Sequence, residues 1–224
     1  MVLLKFNLAL ALATITLVME VQAQSGPVSK YLALGDSYTI GESVPETGRW
    51  PNQLVVELIK RGKPFAKPVI IATTGWRTDN LKNAIEIAQL KPEYELVSLL
   101  IGVNNQYQGK SIDQYAVEFE ELLKISIRLA KGKKENVFVV SIPDYGFTPF
   151  GAKSRDKISK DIERFNEINK RISNEYHLSY INITDISRKG LDDASLVAGD
   201  GLHPSEKMYS LWMQRIMREL HFLN

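Results

Sequence analysis

Hydrophobic residues along the chain fall into five short runs, separated by longer stretches in which apolar and polar residues alternate at helical spacing. Each run is rich in valine, isoleucine and leucine and is bounded by polar or turn-forming residues. This pattern is typical of strands that are buried in a parallel sheet. The predicted strands are residues 30–34, 67–72, 96–101, 136–141 and 179–183.

The stretches between these runs predict helices. Residues 154–176 carry a stripe of isoleucines at helical spacing, as expected for a helix that buries one face. Pro51 stands at a favoured first-turn position, and Gly132 is a natural stop signal. The predicted helices are residues 51–61, 78–90, 111–132 and 154–176, and one that begins at Pro204.

Five strand–helix units in series predict one α/β domain with a five-stranded parallel sheet and helices on both faces. The length of 224 residues and a hydrophobic content of 44% suit a single domain with a sizeable core. The formal net charge is only +2 and the basic residues are spread along the chain, so there is no electrostatic footprint for nucleic acid. Cysteine is absent, which excludes disulfides, thiolate metal ligands and a cysteine nucleophile.

The start of the chain predicts a cleavable signal peptide. Lys5 precedes an apolar stretch over residues 8–19, and the sequence Val21-Gln22-Ala23 follows it at the position that signal peptidase recognises. The apolar run is shorter than the ~20 residues of a spanning helix, so we do not expect a stable membrane anchor. We expect cleavage after Ala23, which leaves a domain of residues 24–224 in a secreted or periplasmic protein.

Residues suited to nucleophilic catalysis follow the predicted strands. Ser37 ends a Gly-Asp-Ser tripeptide after the first strand, Gly75 and Asn104 follow the second and third strands, and Asp200 and His203 precede the last helix. Because ligands bind at the carboxyl ends of the strands in open α/β sheets, we expect these residues to converge. Serine, imidazole and carboxylate together make an acylating nucleophile. Each residue alone has an ordinary explanation as a turn or cap, but the ordered series favours a serine esterase.

These blocks resemble the SGNH hydrolases, also called GDSL esterases. The four hallmark residues of that family match Ser37, Gly75, Asn104 and His203 in order, and the resemblance covers essentially the whole chain after residue 23. It implies a three-layer α/β/α fold of flavodoxin-like type, hydrolysis of esters and no cofactor. One position departs from the pattern: the third block usually ends in aspartate, where this chain has Asn105.

The resemblance and the chemistry of the residues assign a role to each. Ser37 would attack the ester carbonyl, and His203 would take the serine proton and return it to the leaving alcohol. Asp200 would fix the imidazole tautomer and stabilise the imidazolium. The oxyanion would be held by the backbone N–H groups of Ser37 and Gly75 and by the side-chain amide of Asn104.

Several residues near the same edge of the sheet are candidates for substrate contact, and Trp50 and the loop 143–147 are expected beside them. The connections are short, so we expect an open site without a lid. Such a site favours small or soluble esters, namely short-chain acyl esters, acetylated sugars or lysophospholipids. The candidate substrate-binding residues are Tyr38, Trp76, Arg77, Tyr107 and Tyr145.

Other functions fit the sequence less well but stay open. An acyltransferase would use the same acyl-enzyme, and a non-catalytic protein of the same fold could bind carbohydrate or lipid. A flavin or nucleotide binder needs a phosphate-cradling loop after the first strand, and the chain has an acidic Gly-Asp-Ser there. The three histidines are scattered, so no metal site is predicted. The expected partner is a small ester, and the sequence does not define an oligomeric state.

Overall fold

A computed structural model describes residues 28–220, which form a five-stranded sheet with helices on both faces. The predicted signal peptide lies outside these described residues and stays a prediction. All five predicted strands are present, each within a few residues of its expected bounds. The strands are β1 (Tyr31–Gly35), β2 (Val69–Ala72), β3 (Leu96–Leu100), β4 (Val137–Val140) and β5 (Ser179–Ile181).

The strand order across the sheet is β2-β1-β3-β4-β5, and every neighbouring pair is parallel. This is the flavodoxin-like order, in which the chain turns back on itself between β1 and β3. The strands in the middle of the sheet are entirely buried, whereas the edge strands β2 and β5 are partly exposed. A crevice therefore opens at the carboxyl ends of β1 and β3, where ligands bind in this architecture.

The five predicted helices are present, together with three short helices that the hydrophobic pattern did not predict. The short ones are α1, α4 and α7, each too brief to show helical periodicity. The last helix begins at Glu206 rather than at Pro204, because the hydroxyl of Ser205 accepts the N–H of Met208 and caps it. The helices are α1 (Ser37–Ile40), α2 (Trp50–Lys60), α3 (Thr78–Ala88), α4 (Val103–Tyr107), α5 (Ile112–Leu129), α6 (Arg155–Glu175), α7 (Thr184–Ser187) and α8 (Glu206–Glu219).

Two layers of helix enclose the sheet. Helices α2 and α8 pack together on one face, while α3, α5 and α6 pack in succession on the other. Trp50 of α2 and Trp212 of α8 are both fully buried. The segment that precedes α8 is thereby fixed against the sheet, close to the end of β1. In the described part of the chain, no helix is long and apolar enough to cross a membrane.

The loop after β4 is held by an ion pair between a buried aspartate and a partly exposed arginine. The Asp144 carboxylate is fully buried, accepts the N–H of Gly146 at 3.0 Å and lies 2.9 Å from Nε of Arg188. The Arg188 guanidinium also lies over the Phe147 ring, 5.8 Å from its centroid. The turn Tyr145–Phe147 is therefore fixed beside the crevice.

Candidate active site

Ser37 lies at the carboxyl end of β1, as the first residue of α1. The strand can end so close to β3 because Gly35 has no side chain: a Cβ there would lie 2.5 Å from the carbonyl oxygen of Leu100. The Asp36 carboxylate accepts the N–H of Tyr38 at 3.0 Å and caps the helix. The N–H of Ser37 is a first-turn amide with no partner inside the helix, so it can donate to a ligand.

His203 is hydrogen-bonded to Asp200. The distance from His203 Nδ1 to Asp200 Oδ2 is 2.7 Å, and Asp200 Oδ1 accepts the N–H groups of Leu202 and His203 at 2.9 Å each. Burial opposes ionisation of Asp200, but these bonds and one from the Ser43 hydroxyl outweigh it and hold the pKa of the carboxyl well below its usual range. Asp200 is therefore charged beside the imidazole at neutral pH.

Ser43 is a contact of Asp200 that the sequence did not indicate. Its hydroxyl donates to Asp200 Oδ2 at 2.6 Å, the same oxygen that receives His203 Nδ1. Ser43 adopts a φ of 64°, in the left-handed region that costs free energy for residues with a Cβ. It is separated from Asp200 by 157 positions, so only the fold brings the two together. The Ser43 hydroxyl therefore holds the Asp200 carboxylate in the orientation in which it contacts the imidazole.

For the ester hydrolysis predicted from the sequence, we expect Ser43→Ala to lower kcat by about three- to tenfold and to leave KM for the ester nearly unchanged. The reason is that the lost hydrogen bond is made to a charged but partly exposed group, which gives it a modest free energy. Ser43→Gly is the matched control, because glycine also removes the hydroxyl but is relaxed at positive φ. Steady-state kinetics of both variants show how much the Ser43 hydroxyl contributes to kcat. Full activity of Ser43→Gly would mean that the hydroxyl does not position Asp200.

The carboxyl ends of the strands surround one cavity of about 180 Å³. Ser37 and His203 both line it, and among residues 28–220 no hydrogen bond joins their side chains. Such bonds are often long in unliganded sites and shorten when substrate is bound. The cavity is lined by Ser37, Tyr38, Thr74, Gly75, Val103, Asn104, Tyr107, Tyr145, Phe150, Leu202 and His203.

Gly75 and Asn104 lie together on one side of this cavity. Gly75 has a φ of 83°, which glycine adopts without strain, in a turn closed by the bond from the Trp76 N–H to the Thr73 carbonyl. The Asn104 amide nitrogen donates to the Trp76 carbonyl at 2.9 Å. An amide has two N–H hydrogens, so this bond fixes the side chain and leaves one hydrogen for a ligand.

Asn105, where the family pattern has aspartate, is a structural residue. It is buried, its Oδ1 accepts the Thr78 N–H at 3.1 Å, and its Nδ2 donates to the Thr78 hydroxyl at 2.7 Å. The Thr78 hydroxyl in turn donates to the Glu118 carboxylate. Asn105 thus caps α3, and the carboxylate of this network is supplied by Glu118 instead.

The candidate substrate-binding residues divide into two groups. Tyr38, Tyr107 and Tyr145 line the cavity, whereas Trp76 and Arg77 are not among its lining residues. Trp76 reaches the site through its carbonyl, which holds Asn104. The Arg77 guanidinium turns away to bind Gln108 at 2.8 Å and Asp79 at 2.7 Å. Trp50 was also expected beside these residues, and that prediction was wrong. Trp50 is fully buried, with Nε1 donating to the Tyr38 carbonyl.

Phe150 is a cavity residue that the sequence analysis missed. It follows the loop 143–147 by only a few positions and is half exposed. An apolar residue so close to a predicted rim loop was the available signal. In the described part of the chain, no group of three His, Asp or Glu side chains is arranged to hold a metal ion.

Asp36 is a fully buried carboxyl next to Ser37. Its Oδ1 binds the Tyr38 N–H, but Oδ2 has no hydrogen-bond partner among the described residues. Burial raises the pKa of Asp36 to about 7, against the opposing effect of the hydrogen bond from Tyr38. Asp36 is consequently protonated over part of the neutral range.

This raised pKa has a consequence for stability. The pKa is about 7 in the folded protein and ~3.9 in an unfolded chain, so folding favours the protonated form. The stabilising effect is complete below about pH 4 and is lost as the pH rises to about 7.

Asp36→Asn keeps an oxygen for the Tyr38 N–H and does not titrate. We expect urea unfolding to show that the stability of Asp36→Asn relative to the parent protein rises by about 2–3 kcal/mol between pH 5 and pH 8. Parallel pH profiles would contradict this.

Comparison with known proteins agrees with the geometry. The model of the family described as GDSL-like Lipase/Acylhydrolase matches residues 33–211. A "Multidomain esterase" of Ruminococcus flavefaciens is 30% identical over 126 residues, which are 54% of this chain. The chain spans about 15% of the length of that relative.

Solved structures share the fold. TesA superposes with a TM-score of 0.70 at 15% identity, over 88% of this chain and 100% of TesA. Axe2, an acetylxylan esterase from Geobacillus stearothermophilus, superposes with a TM-score of 0.67 at 20% identity, over 87% of this chain and 94% of Axe2. At these identities the likeness establishes the architecture, and the chemistry must be argued from the residues of this chain.

Proposed function

Because this chain belongs to the GDSL-like lipase/acylhydrolase family, we propose that it hydrolyses small or soluble carboxylic esters through an acyl-enzyme on Ser37. One observation carries the proposal. The His203 imidazole, bound to Asp200 at 2.7 Å, shares a cavity of about 180 Å³ with Ser37, Gly75 and Asn104. This cavity thus contains a nucleophile, a base with its orienting carboxylate, and the donors of an oxyanion hole.

The reaction has two halves. In the first, Ser37 Oγ bonds to the ester carbonyl carbon while its proton passes to His203 Nε2. The negative charge on the carbonyl oxygen is met by the N–H groups of Ser37 and Gly75 and the free N–H of Asn104. The tetrahedral intermediate expels the alcohol, which takes the proton from His203, and Ser37 is left acylated. In the second half, water gives a proton to His203 and its oxygen bonds to the acyl carbon. The bond from that carbon to Ser37 Oγ then breaks, the carboxylic acid leaves, and the proton on His203 returns to Ser37.

His203 can work in this cycle because Asp200 accepts the hydrogen on Nδ1. That bond leaves Nε2 without a hydrogen in the neutral imidazole, so Nε2 can accept the serine proton. The charged carboxylate then stabilises the imidazolium. The esters proposed are short-chain acyl esters or acetylated sugars, since the cavity of about 180 Å³ is smaller than the roughly 300–1,000 Å³ of common ligand pockets. Lysophospholipids, the third class that the sequence left open, carry a long acyl chain for which this volume leaves little room.

The test is hydrolysis of p-nitrophenyl acetate, butyrate and octanoate by the purified protein. We expect kcat/KM to be highest for acetate or butyrate and to fall for octanoate, because a cavity of about 180 Å³ leaves little room for a long acyl chain. Adding an alcohol to the assay separates hydrolysis from acyl transfer, which would form a new ester. Absence of activity towards all three esters would contradict the proposal.

A further inference from the structure

Two large apolar side chains at the mouth of the cavity are exposed to solvent. Tyr107 is 60% exposed and Phe150 is 53% exposed, whereas Tyr145 between them is buried. The three ring centroids lie 6.2–6.3 Å apart, which is the contact distance of aromatic pairs. We call Tyr107, Tyr145 and Phe150 the aromatic rim. An exposed aromatic group that borders a cavity marks a surface suited to a ligand.

The aromatic rim is held in place by the fold. The Tyr145 hydroxyl donates to Gln106 at 3.0 Å, and the Phe150 N–H donates to the carbonyl of Gly201 at 3.0 Å. The loop that carries Tyr145 and Phe150 is fixed by the ion pair of the buried Asp144 and the partly exposed Arg188. Because these contacts order the rings in advance, a ligand loses less free energy in ordering them on binding.

The position of Phe150 indicates which half of an ester the aromatic rim contacts. Phe150 is bonded through its backbone to Gly201, two positions before His203. His203 gives its proton to the leaving oxygen, so the alcohol half of the ester must lie on the His203 side of Ser37. Tyr38 and Val103, both buried, also line the cavity, and its volume of about 180 Å³ leaves the acyl half only a short space.

We propose that the aromatic rim binds the alcohol half of the ester and that this alcohol is a sugar ring. The inference rests on the proposed esterase function and gives it a substrate class. The C–H groups on one face of a pyranose form an apolar patch that lies well on an aromatic side chain, while its hydroxyls point sideways into water. The exposed rings of Tyr107 and Phe150 offer such a platform in a cavity that Thr74 also lines, with the Thr74 hydroxyl bonded to the Glu42 carboxylate. A long lipid chain would need an enclosed apolar channel, and about 180 Å³ does not supply one.

The experiment holds the acyl group constant and varies the alcohol. Release of acetic acid from methyl β-glucopyranoside tetraacetate and from ethyl acetate is followed in a pH-stat for the parent protein, Phe150→Ala and Tyr107→Ala. We expect each variant to lower the ratio of kcat/KM for the sugar ester over ethyl acetate by about three- to tenfold, mainly through KM. Ile87→Ala is the matched control, because Ile87 is a large apolar residue on α3 that is 74% exposed and lies outside the cavity. This variant should keep the parent ratio.

The outcomes separate the inference from the function on which it rests. An unchanged ratio in both rim variants, with esterase activity intact, overturns the inference alone. A loss that falls on p-nitrophenyl octanoate rather than on the sugar ester also overturns it, because the rim would then bind the acyl chain. No hydrolysis of any ester by the parent protein overturns the proposed function and the inference with it.

Discussion

Ser37→Ala should lower kcat for p-nitrophenyl acetate by about 10⁶-fold, which is the effect of removing the nucleophile in a serine hydrolase of comparable design. Alanine removes only the oxygen that forms the acyl-enzyme. The backbone N–H of residue 37 and the donors at Gly75 and Asn104 remain, so a small residual rate over water is expected. Binding of the ester should change little, because the cavity keeps its shape.

The measurement is kcat and KM for the parent protein and Ser37→Ala, together with urea unfolding of both. Ser111→Ala is a matched serine control: Ser111 caps α5 by accepting the Gln114 N–H, and its loss should cost about 1 kcal/mol of stability without affecting turnover. A fall of less than 100-fold in Ser37→Ala, with the fold intact, would mean that another group or water attacks the ester.

Asp200→Asn should lower kcat by about 10⁴-fold, and the hydrogen bonds around Asp200 give the reason. Oδ1 accepts the two backbone N–H groups of Leu202 and His203, so an asparagine must keep its amide oxygen there. Its NH2 group then replaces Oδ2 and points at His203 Nδ1, where it can only donate. The neutral imidazole must place its hydrogen on Nε2 instead, and Nε2 can no longer take the proton of Ser37.

A second aspartate provides the control for this substitution. Asp193 also accepts a backbone N–H two positions on, that of Ser195, and binds the Lys207 ammonium at 2.8 Å, but it does not line the cavity. Asp193→Asn should leave kcat within about twofold. Activity of Asp200→Asn within tenfold of the parent would show that the carboxylate does not select the imidazole tautomer.

The sequence was sufficient for the architecture because the elements are long or strongly apolar. Runs such as 96–101 are short, apolar and bounded by polar or turn residues, which favours buried parallel strands, and the helices of several turns show their periodicity. The three helices that the pattern missed, α1, α4 and α7, are four or five residues long. Helices this short show no repeat of about 3.6 residues, and the cap that Asp36 places on α1 is a polar contact that the hydrophobic pattern does not carry.

The residues of the site could be predicted from the sequence where they directly follow a strand, and less well elsewhere. Ser37, Gly75 and Asn104 come within a few positions of a strand end, so topology alone brings them together. Arg77 also follows a strand, but its direction is set by Asp79 and Gln108. Ser43 and Phe150 lie on loops, and their places in the site depend on how those loops fold. No local sequence pattern identifies a serine whose hydroxyl donates to a carboxylate 157 positions away.

The packing of α8 on α2 has a consequence for biosynthesis. A chain made from its amino end acquires Ser37, Gly75 and Asn104 well before His203 and α8 emerge from the ribosome, and domains begin to fold during synthesis. The Tyr38 ring, adjacent to Ser37, contacts the rings of both His203 and Trp212. Docking of α8 therefore brings His203 to Ser37 and completes the packing on that side of the core in one step. In the nascent polypeptide, Ser37 therefore has no imidazole beside it until α8 docks.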